Sequence, residues 1–141
     1  MKNVMIKIKG TQGQGADTQV IEFSTEGTLK TEDEAFILAY SDAAIAEGAK
    51  VDTVLTAKNN CVTLERSGAL NSKMIIEKGV RSSCFYSVPE GSLTLGIYGK
   101  EVYAKLNGSG GKIKMVYTID ADMRPISENA VEIDITERQG I

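Results

Sequence analysis

Apolar and polar residues alternate with a period of two in several short segments, and this alternation constrains the fold more than any other feature. It is clear in residues 4–8, 93–97, 113–119 and 131–135. A period of two places every second side chain on one face, which is typical of half-buried β-strands. Turn residues separate these segments, so the sequence predicts short antiparallel strands joined by hairpins.

The loops of four hairpins can be chosen from turn chemistry, and each choice fixes which residues lie opposite each other. Asn tolerates the positive φ of a type I′ turn, which favours a two-residue loop at Asn59 and Asn60. The same reasoning predicts loops at residues 90–91, 99–100 and 107–112. All four bring apolar residues to one face, and a slip of one residue would turn them outward. The predicted pairs include Thr53 with Arg66, Leu55 with Leu64, Cys84 with Ile97, Leu95 with Ala104, and Ala104 with Met115.

About ten strands are expected, and closing them into a barrel would remove the two free edges of the sheet. We therefore predict an all-β fold: a single antiparallel up-and-down barrel of about 8–11 strands, with residues 1–141 as one domain. A chain of 141 residues is long enough to bury a core. One helical turn is expected at residues 42–47, capped by Asp42 and ended by Gly48, with an irregular connection as the alternative.

The composition excludes several classes of function. The chain contains no His and two Cys, which excludes Ser–His–Asp and Cys–His catalysis, His-based metal sites and four-thiolate zinc sites. It has 16 basic and 19 acidic residues and no basic half, so nucleic acid is not an expected partner. No apolar run reaches the ~20 residues that span a bilayer. We expect a soluble cytoplasmic protein without cofactor, metal ion or membrane span, and no pair of residues is selected for catalysis.

Several segments of the chain resemble the YwiB-like family of bacterial proteins of unknown function. The resemblance covers nearly the whole chain, and it depends on the order of strand-and-turn patterns. The family is similar in fold to the calycins, which include the lipocalins, so the resemblance implies a calycin-like barrel. It implies no catalytic residues. The segments are GTQ (10–12), IEFSTEG (21–27), LERSG (64–68), MIIEKG (74–79), VPEGSLTLGI (88–97) and PISEN (125–129).

Charged and aromatic residues on the predicted inner face are the candidates for function. An unpaired Arg66 there would be costly, so an internal carboxylate, water or an anionic ligand should compensate it. The alternative places Arg66 at the mouth of the barrel, where it reaches solvent or pairs with Glu65 or Glu77. Lys78 is expected on the same face, extending to the rim. The hydroxyls of Tyr86 and Tyr117 are either ligand contacts or core groups with one hydrogen bond each.

The leading functional hypothesis is that a small apolar or amphipathic ligand, with an acidic group at Arg66, binds in the barrel interior. It predicts a pocket of several hundred cubic ångströms, with Leu55 in its wall. The alternative is a protein-interaction or structural module with a solid core, which self-associates through outward Met5, Val116 and Tyr103. The candidate ligand-binding residues are Leu64, Arg66, Met74, Tyr86, Leu95, Met115 and Tyr117.

The two cysteines are expected on opposite faces of the barrel wall, Cys61 outside and Cys84 inside. A disulfide between them is therefore not predicted. Cys84 is expected to act as a small buried apolar residue.

Overall fold

A computed structural model describes residues 2–14, 17–46, 49–68, 71–88, 91–107 and 109–138, and only the backbone of residues 14, 17, 42–46, 49, 50, 86–88, 92 and 93. The described residues form ten antiparallel strands. They are β1 (Lys2–Gln14), β2 (Asp17–Glu32), β3 (Ala35–Ala46), β4 (Ala49–Lys58), β5 (Cys61–Gly68), β6 (Asn71–Glu77), β7 (Arg81–Val88), β8 (Gly91–Asn107), β9 (Gly110–Ala121) and β10 (Arg124–Glu137).

Each strand pairs with its neighbours in sequence, and β1 also pairs with β10, so the sheet closes into a barrel. Ile6 of β1 lies opposite Thr25 of β2 on one side and Ile135 of β10 on the other. The predicted all-β, up-and-down barrel is therefore confirmed, with ten strands. No helix in the described part of the chain is long and apolar enough to cross a membrane.

The predicted turn at Asn59 and Asn60 is confirmed. Both residues have positive φ, 50° and 61°, as a type I′ turn requires. Leu55 lies opposite Leu64, and Thr53 lies opposite Arg66. The side chain of Arg66 therefore starts on the inner face of the barrel, as the sequence predicted.

Two other hairpins have the predicted faces but a register shifted by two residues. Cys84 lies opposite Leu95 rather than Ile97, and Ala104 lies opposite Ile113 rather than Met115. The side-chain period of a strand is two, so a shift of two residues leaves every side chain on its face. The apolar pattern alone therefore could not distinguish the two registers.

The loop predicted at Gly99 and Lys100 is wrong, and so is the pairing of Leu95 with Ala104. Strand β8 runs through both residues, with a register shift between Gly99 and Glu101. Gly99 is needed there for close packing, because a Cβ atom at this position would collide with the backbone carbonyl of Glu77. The backbone N–H of Gly79 donates to the carbonyl of Gly99 at 2.8 Å. A glycine at a bulge has the same sequence signature as a glycine in a turn.

The helical turn expected at residues 42–47 is also wrong over the described residues. Residues 42–46 belong to β3, and the irregularity of this segment is a register shift between Asp42 and Ala46. Pairing with β4 places Asp42 opposite Val51 and Ala46 opposite Ala49, so both ends of this segment have strand partners instead of a helical turn. Residues 47 and 48 lie outside the described residues.

All ten strands contribute buried residues to the apolar core, which fills the interior of the barrel at one level. Leu38, Leu55 and Val62 are at most 1 % exposed and belong to one apolar cluster. They come from neighbouring strands β3, β4 and β5 and lie on the inner face. Side chains therefore fill this part of the barrel.

Candidate functional site

A cavity of about 180 Å³ lies inside the barrel, above the packed part of the core. Its walls are largely apolar and include Phe23, Leu64, Met115 and Val131. The exposed residue Ile21 also lines it, so the cavity reaches the surface near the β1–β2 hairpin. It is smaller than the several hundred cubic ångströms that the sequence analysis predicted. Leu55, expected in its wall, is fully buried in the packed core.

Four of the seven candidate ligand-binding residues line this cavity: Leu64, Arg66, Met115 and Tyr117. Met74 lies opposite Leu64 and is buried in the core cluster. It is not among the described residues that line the cavity, and neither is the partly buried Leu95. The backbone of Tyr86 pairs with Ser72, but its side chain lies outside the described residues.

Arg66 is the one cationic side chain among the described residues that line the cavity, and no Asp or Glu is among them. Its Nε is buried and has no hydrogen-bond partner. Among the described residues, neither Glu65 nor Glu77 forms an ion pair with it; Glu65 pairs with Lys73 at 3.5 Å. The pairing alternative considered from the sequence is therefore not seen in the described part of the chain.

Arg66 belongs to a row of polar residues that crosses four strands on the inner face. Tyr40 of β3 lies opposite Thr53 of β4, and Thr53 lies opposite Arg66 of β5. Arg66 in turn lies opposite Ser72 of β6. We call Tyr40, Thr53, Arg66 and Ser72 the polar row. Directly opposed residues have Cβ atoms about 4.5–5.5 Å apart, so neighbouring side chains in the row are adjacent.

The wall facing the polar row also carries polar groups. Burial raises the pKa of the Tyr117 hydroxyl, and the charge of nearby Arg66 opposes this shift. Tyr117 is therefore a neutral hydroxyl near a cation at physiological pH. Asn129 is buried, and its Nδ2 donates to Oγ of Ser127 at 3.1 Å.

Sequence reasoning missed Phe23, Asn129 and the hydroxyls beside Arg66. The sequence did contain a signal for Asn129. It lies two residues before Val131 and so extends the inward-facing series Val131, Ile133 and Ile135. A buried polar residue at the end of such a series indicates a polar region of the interior. Phe23 had no comparable signal, since the alternation in β2 is weak.

Lys78 and the two cysteines lie away from the cavity lining. Lys78 is exposed just beyond β6, consistent with a rim position. Cys84 is buried and Cys61 is partly exposed, and both are free thiols. Their different burial fits the expected placement of Cys84 inside and Cys61 outside the barrel wall.

The outer face has a separate depression of about 410 Å³. Its walls include Thr11, Val116, Thr118 and Ala130 on strands β1, β9 and β10. Of the three outward residues considered from the sequence, Val116 lies in this depression. Met5 lies on β1 between Glu26 and Thr136, and Tyr103 lies opposite Lys114. The three residues therefore do not form one continuous apolar patch.

The barrel is similar to a solved structure, the crystal structure of ywiB protein from Bacillus subtilis. The TM-score is 0.88 at 20% sequence identity, over 98% of this chain and 93% of that chain. At this identity the likeness shows the fold alone. No curated protein matches the chain significantly. The family model described as a domain of unknown function, DUF1934, matches residues 6–133, and the chain therefore belongs to the DUF1934 family.

Proposed function

We propose that this protein binds a small amphipathic molecule inside its barrel and holds the acidic group of that molecule at Arg66. The observation that carries the proposal is the buried Nε of Arg66, which lacks a hydrogen-bond partner while the side chain lines the interior cavity. Arg66 is partly exposed but its Nε is buried, and a buried charged donor without a partner is costly, so an anionic ligand stabilises the occupied barrel. The planar guanidinium suits a carboxylate, which it can bind through two parallel hydrogen bonds.

The walls of the cavity supply the apolar part of the proposed site. Phe23, Leu64, Met115 and Val131 line it and would cover an apolar tail. Closed antiparallel barrels such as the eight-stranded lipocalins hold one small ligand in their interior. We therefore propose that this barrel holds a ligand in its interior, as calycin barrels do.

Binding of hexanoate and of hexanol, which has the same tail length but no charge, tests the proposal. Isothermal titration calorimetry should detect hexanoate binding and weaker binding of hexanol. Arg66→Met should weaken hexanoate binding about 10- to 100-fold, because a hydrogen bond to a charged group contributes about 1.5–3 kcal/mol. Native mass spectrometry of protein purified from cells should also reveal a carried acid.

Arg138→Met is the matched control for this substitution. Arg138 is an exposed arginine that pairs with Glu26 at 2.8 Å, and it does not line the cavity. This variant should bind hexanoate as the unchanged protein does. Equal binding by the Arg66→Met variant, or no binding of any acid, would contradict the proposal.

A further inference from the structure

Three side-chain atoms in the described residues are buried without a hydrogen-bond partner, and all three belong to the polar row. They are Oγ1 of Thr53, Nε of Arg66 and Oγ of Ser72. Thr53 and Ser72 are 1% and 9% exposed, and they lie opposite Arg66 on its two neighbouring strands. Buried polar groups in native proteins are nearly always paired, so three unpaired groups side by side require an explanation.

The three groups have one chemical property in common, because each can donate a hydrogen bond. Thr and Ser hydroxyls carry one O–H each, and the Nε of arginine carries an N–H. No carboxylate is among the described residues that line the cavity. The hydroxyl oxygens of Thr53 and Ser72 can also accept, but no anionic acceptor faces Arg66 among the described lining residues. An oxyanion with several lone pairs supplies what these donors lack.

The charge of the site favours a monoanion over a dianion. Arg66 is the single cation among the described lining residues. One guanidinium matches one carboxylate in charge, and its Nε–H and a neighbouring Nη–H can bind the two carboxylate oxygens in parallel. A phosphate monoester carries a charge of about −1.5 to −2 at neutral pH, so part of its charge would stay uncompensated in this cavity.

The size of the cavity limits the apolar part of the ligand. Its volume is about 180 Å³, close to the ~150 Å³ of an apolar cavity that accepts benzene. It lies below the ~300–1,000 Å³ of sites for drug-sized ligands. Leu38, Leu55 and Val62 fill the neighbouring part of the barrel with at most 1% exposure, so a long tail finds no apolar space deeper in the barrel and would extend into solvent.

From these observations, and on the basis of the function proposed above, we infer that the ligand is a compact monocarboxylic acid whose apolar part is about the size of a benzene ring. Its carboxylate accepts hydrogen bonds from Arg66 and from the flanking hydroxyls of Thr53 and Ser72. The apolar part lies against Phe23 and Met115. Long-chain fatty acids are not ligands of this site.

Benzoate, phenyl phosphate and hexadecanoate are the probes for size and charge, measured by calorimetry and by ¹H–¹⁵N NMR. Benzoate should bind and shift the amide signals of Tyr117 and Asn129. Phenyl phosphate and hexadecanoate should each bind at least about 10-fold more weakly. Equal or tighter binding of hexadecanoate at Arg66 would overturn the inference and leave the proposed function standing. If no acid binds, the proposed function fails as well.

Thr53→Val and Ser72→Ala test the flanking donors. Each should weaken benzoate binding about 3- to 10-fold, the effect of one uncharged hydrogen bond. Neither should lower the stability of the free protein, because an unpaired buried hydroxyl is replaced by an apolar group. A purely structural hydroxyl would give the opposite pattern, with stability reduced and benzoate affinity unchanged, and that result would overturn the role assigned to it. Thr56→Val is the control and should leave benzoate affinity unchanged, because Thr56 is partly exposed, three residues along β4 from Thr53 and on the opposite face.

Discussion

Arg81 and Asp120 are joined by two hydrogen bonds across the outer face of the barrel. Nε of Arg81 donates to Oδ2 of Asp120 at 3.1 Å, and Nη2 donates to Oδ1 at 2.5 Å. The pair links β7 to β9 over the intervening strand β8, where Gly96 lies opposite Asp120. Oδ1 of Asp120 also accepts from the backbone N–H of Met123 at 3.3 Å. One carboxylate therefore connects the β9–β10 turn to β7.

Asp120→Asn should destabilise the protein at neutral pH and have little effect in acid. Hydrogen bonding to Arg81 lowers the pKa of Asp120 below its ordinary value of 3.8. A carboxylate with a lowered pKa in the folded state stabilises that state above the ordinary value, and this contribution is lost as the pH falls through the lowered pKa. Urea unfolding of both proteins at about pH 7 and about pH 2.5 should show a difference in midpoint that shrinks in acid. Asp122→Asn, in the same turn, is the matched control, and a difference that stays constant with pH would contradict the expectation.

Gly96→Ala should separate Arg81 from Asp120. A Cβ atom at position 96 would collide with the Arg81 guanidinium and with Oδ1 of Asp120, and both groups are ends of side chains that can move aside. The substitution should therefore lower the free energy of unfolding in the unchanged protein more than in an Arg81→Met background. Chemical denaturation of the four proteins of this double-mutant cycle measures the difference. Equal effects in the two backgrounds would mean that Gly96 does not act through this pair.

Arg66→Met should raise the stability of the free protein. The substitution removes a buried donor that has no partner and keeps a long unbranched side chain in the cavity wall. Replacing an unpaired charged side chain that is partly buried, as Arg66 is, with an apolar one of similar size often stabilises a protein, here by about 1 kcal/mol. Urea denaturation without added ligand measures the change. A clear loss of stability would show that Arg66 has a structural partner. Weaker hexanoate binding by Arg66→Met would then no longer identify Arg66 as a ligand contact.

Leu55→Ala and Val54→Ala test the packing of the two faces of β4. Leu55 is fully buried, whereas the side chain of its neighbour Val54 is exposed on the outer face. Leu55→Ala should lower the free energy of unfolding by about 2–5 kcal/mol, because the packed core around Leu55 cannot collapse into the cavity left by the smaller side chain. Val54→Ala should change the free energy of unfolding by less than about 0.5 kcal/mol. Thermal and urea denaturation of both variants should give this order, and similar losses for both would contradict the assignment of faces.

Cys61 should react with iodoacetamide before Cys84. Burial raises the pKa of both thiols, and the charge of Glu77 adds to the shift at Cys61. The thiolate is the reactive form, so labelling of Cys61 should be slow at neutral pH and accelerate as the pH rises towards and beyond the ordinary value of 9.0. Cys84 is fully buried and should be labelled only after unfolding. Peptide mass spectrometry with a Cys61→Ser control assigns the sites, and early labelling of Cys84 would mean that the interior opens readily.

The features that depend on local chemistry were predictable from the sequence. Asn59 and Asn60 form the expected turn because few other residues accept positive φ twice in succession. That turn placed Thr53 opposite Arg66 and so located the centre of the candidate site. Gly99 shows where local chemistry was ambiguous, because its lack of a side chain serves close contact with Glu77 rather than a turn.

The size of the cavity depends on packing between distant strands and could not be predicted. Leu55 and Leu64 lie opposite each other on one face, and alternation gave both the same inward assignment. Only Leu64 lines the cavity. The difference arises from the side chains that reach each residue from across the barrel, which the alternation within a single strand does not specify.

The seam between β1 and β10 has a consequence for how the chain folds. Nζ of Lys2 lies 3.2 Å from Oε1 of Glu137, 135 residues along the chain, whereas the other strand pairs join neighbours in sequence. Contacts between distant residues form slowly, because the entropy of closing a long loop is lost before the contacts compensate for it. Pairing of β1 with β10, which closes the barrel, is therefore expected to form last, after the nine hairpins between sequential strands. Until then, β1 and β10 each present an unpaired edge, and the interval before closure is when the chain is most exposed to aggregation.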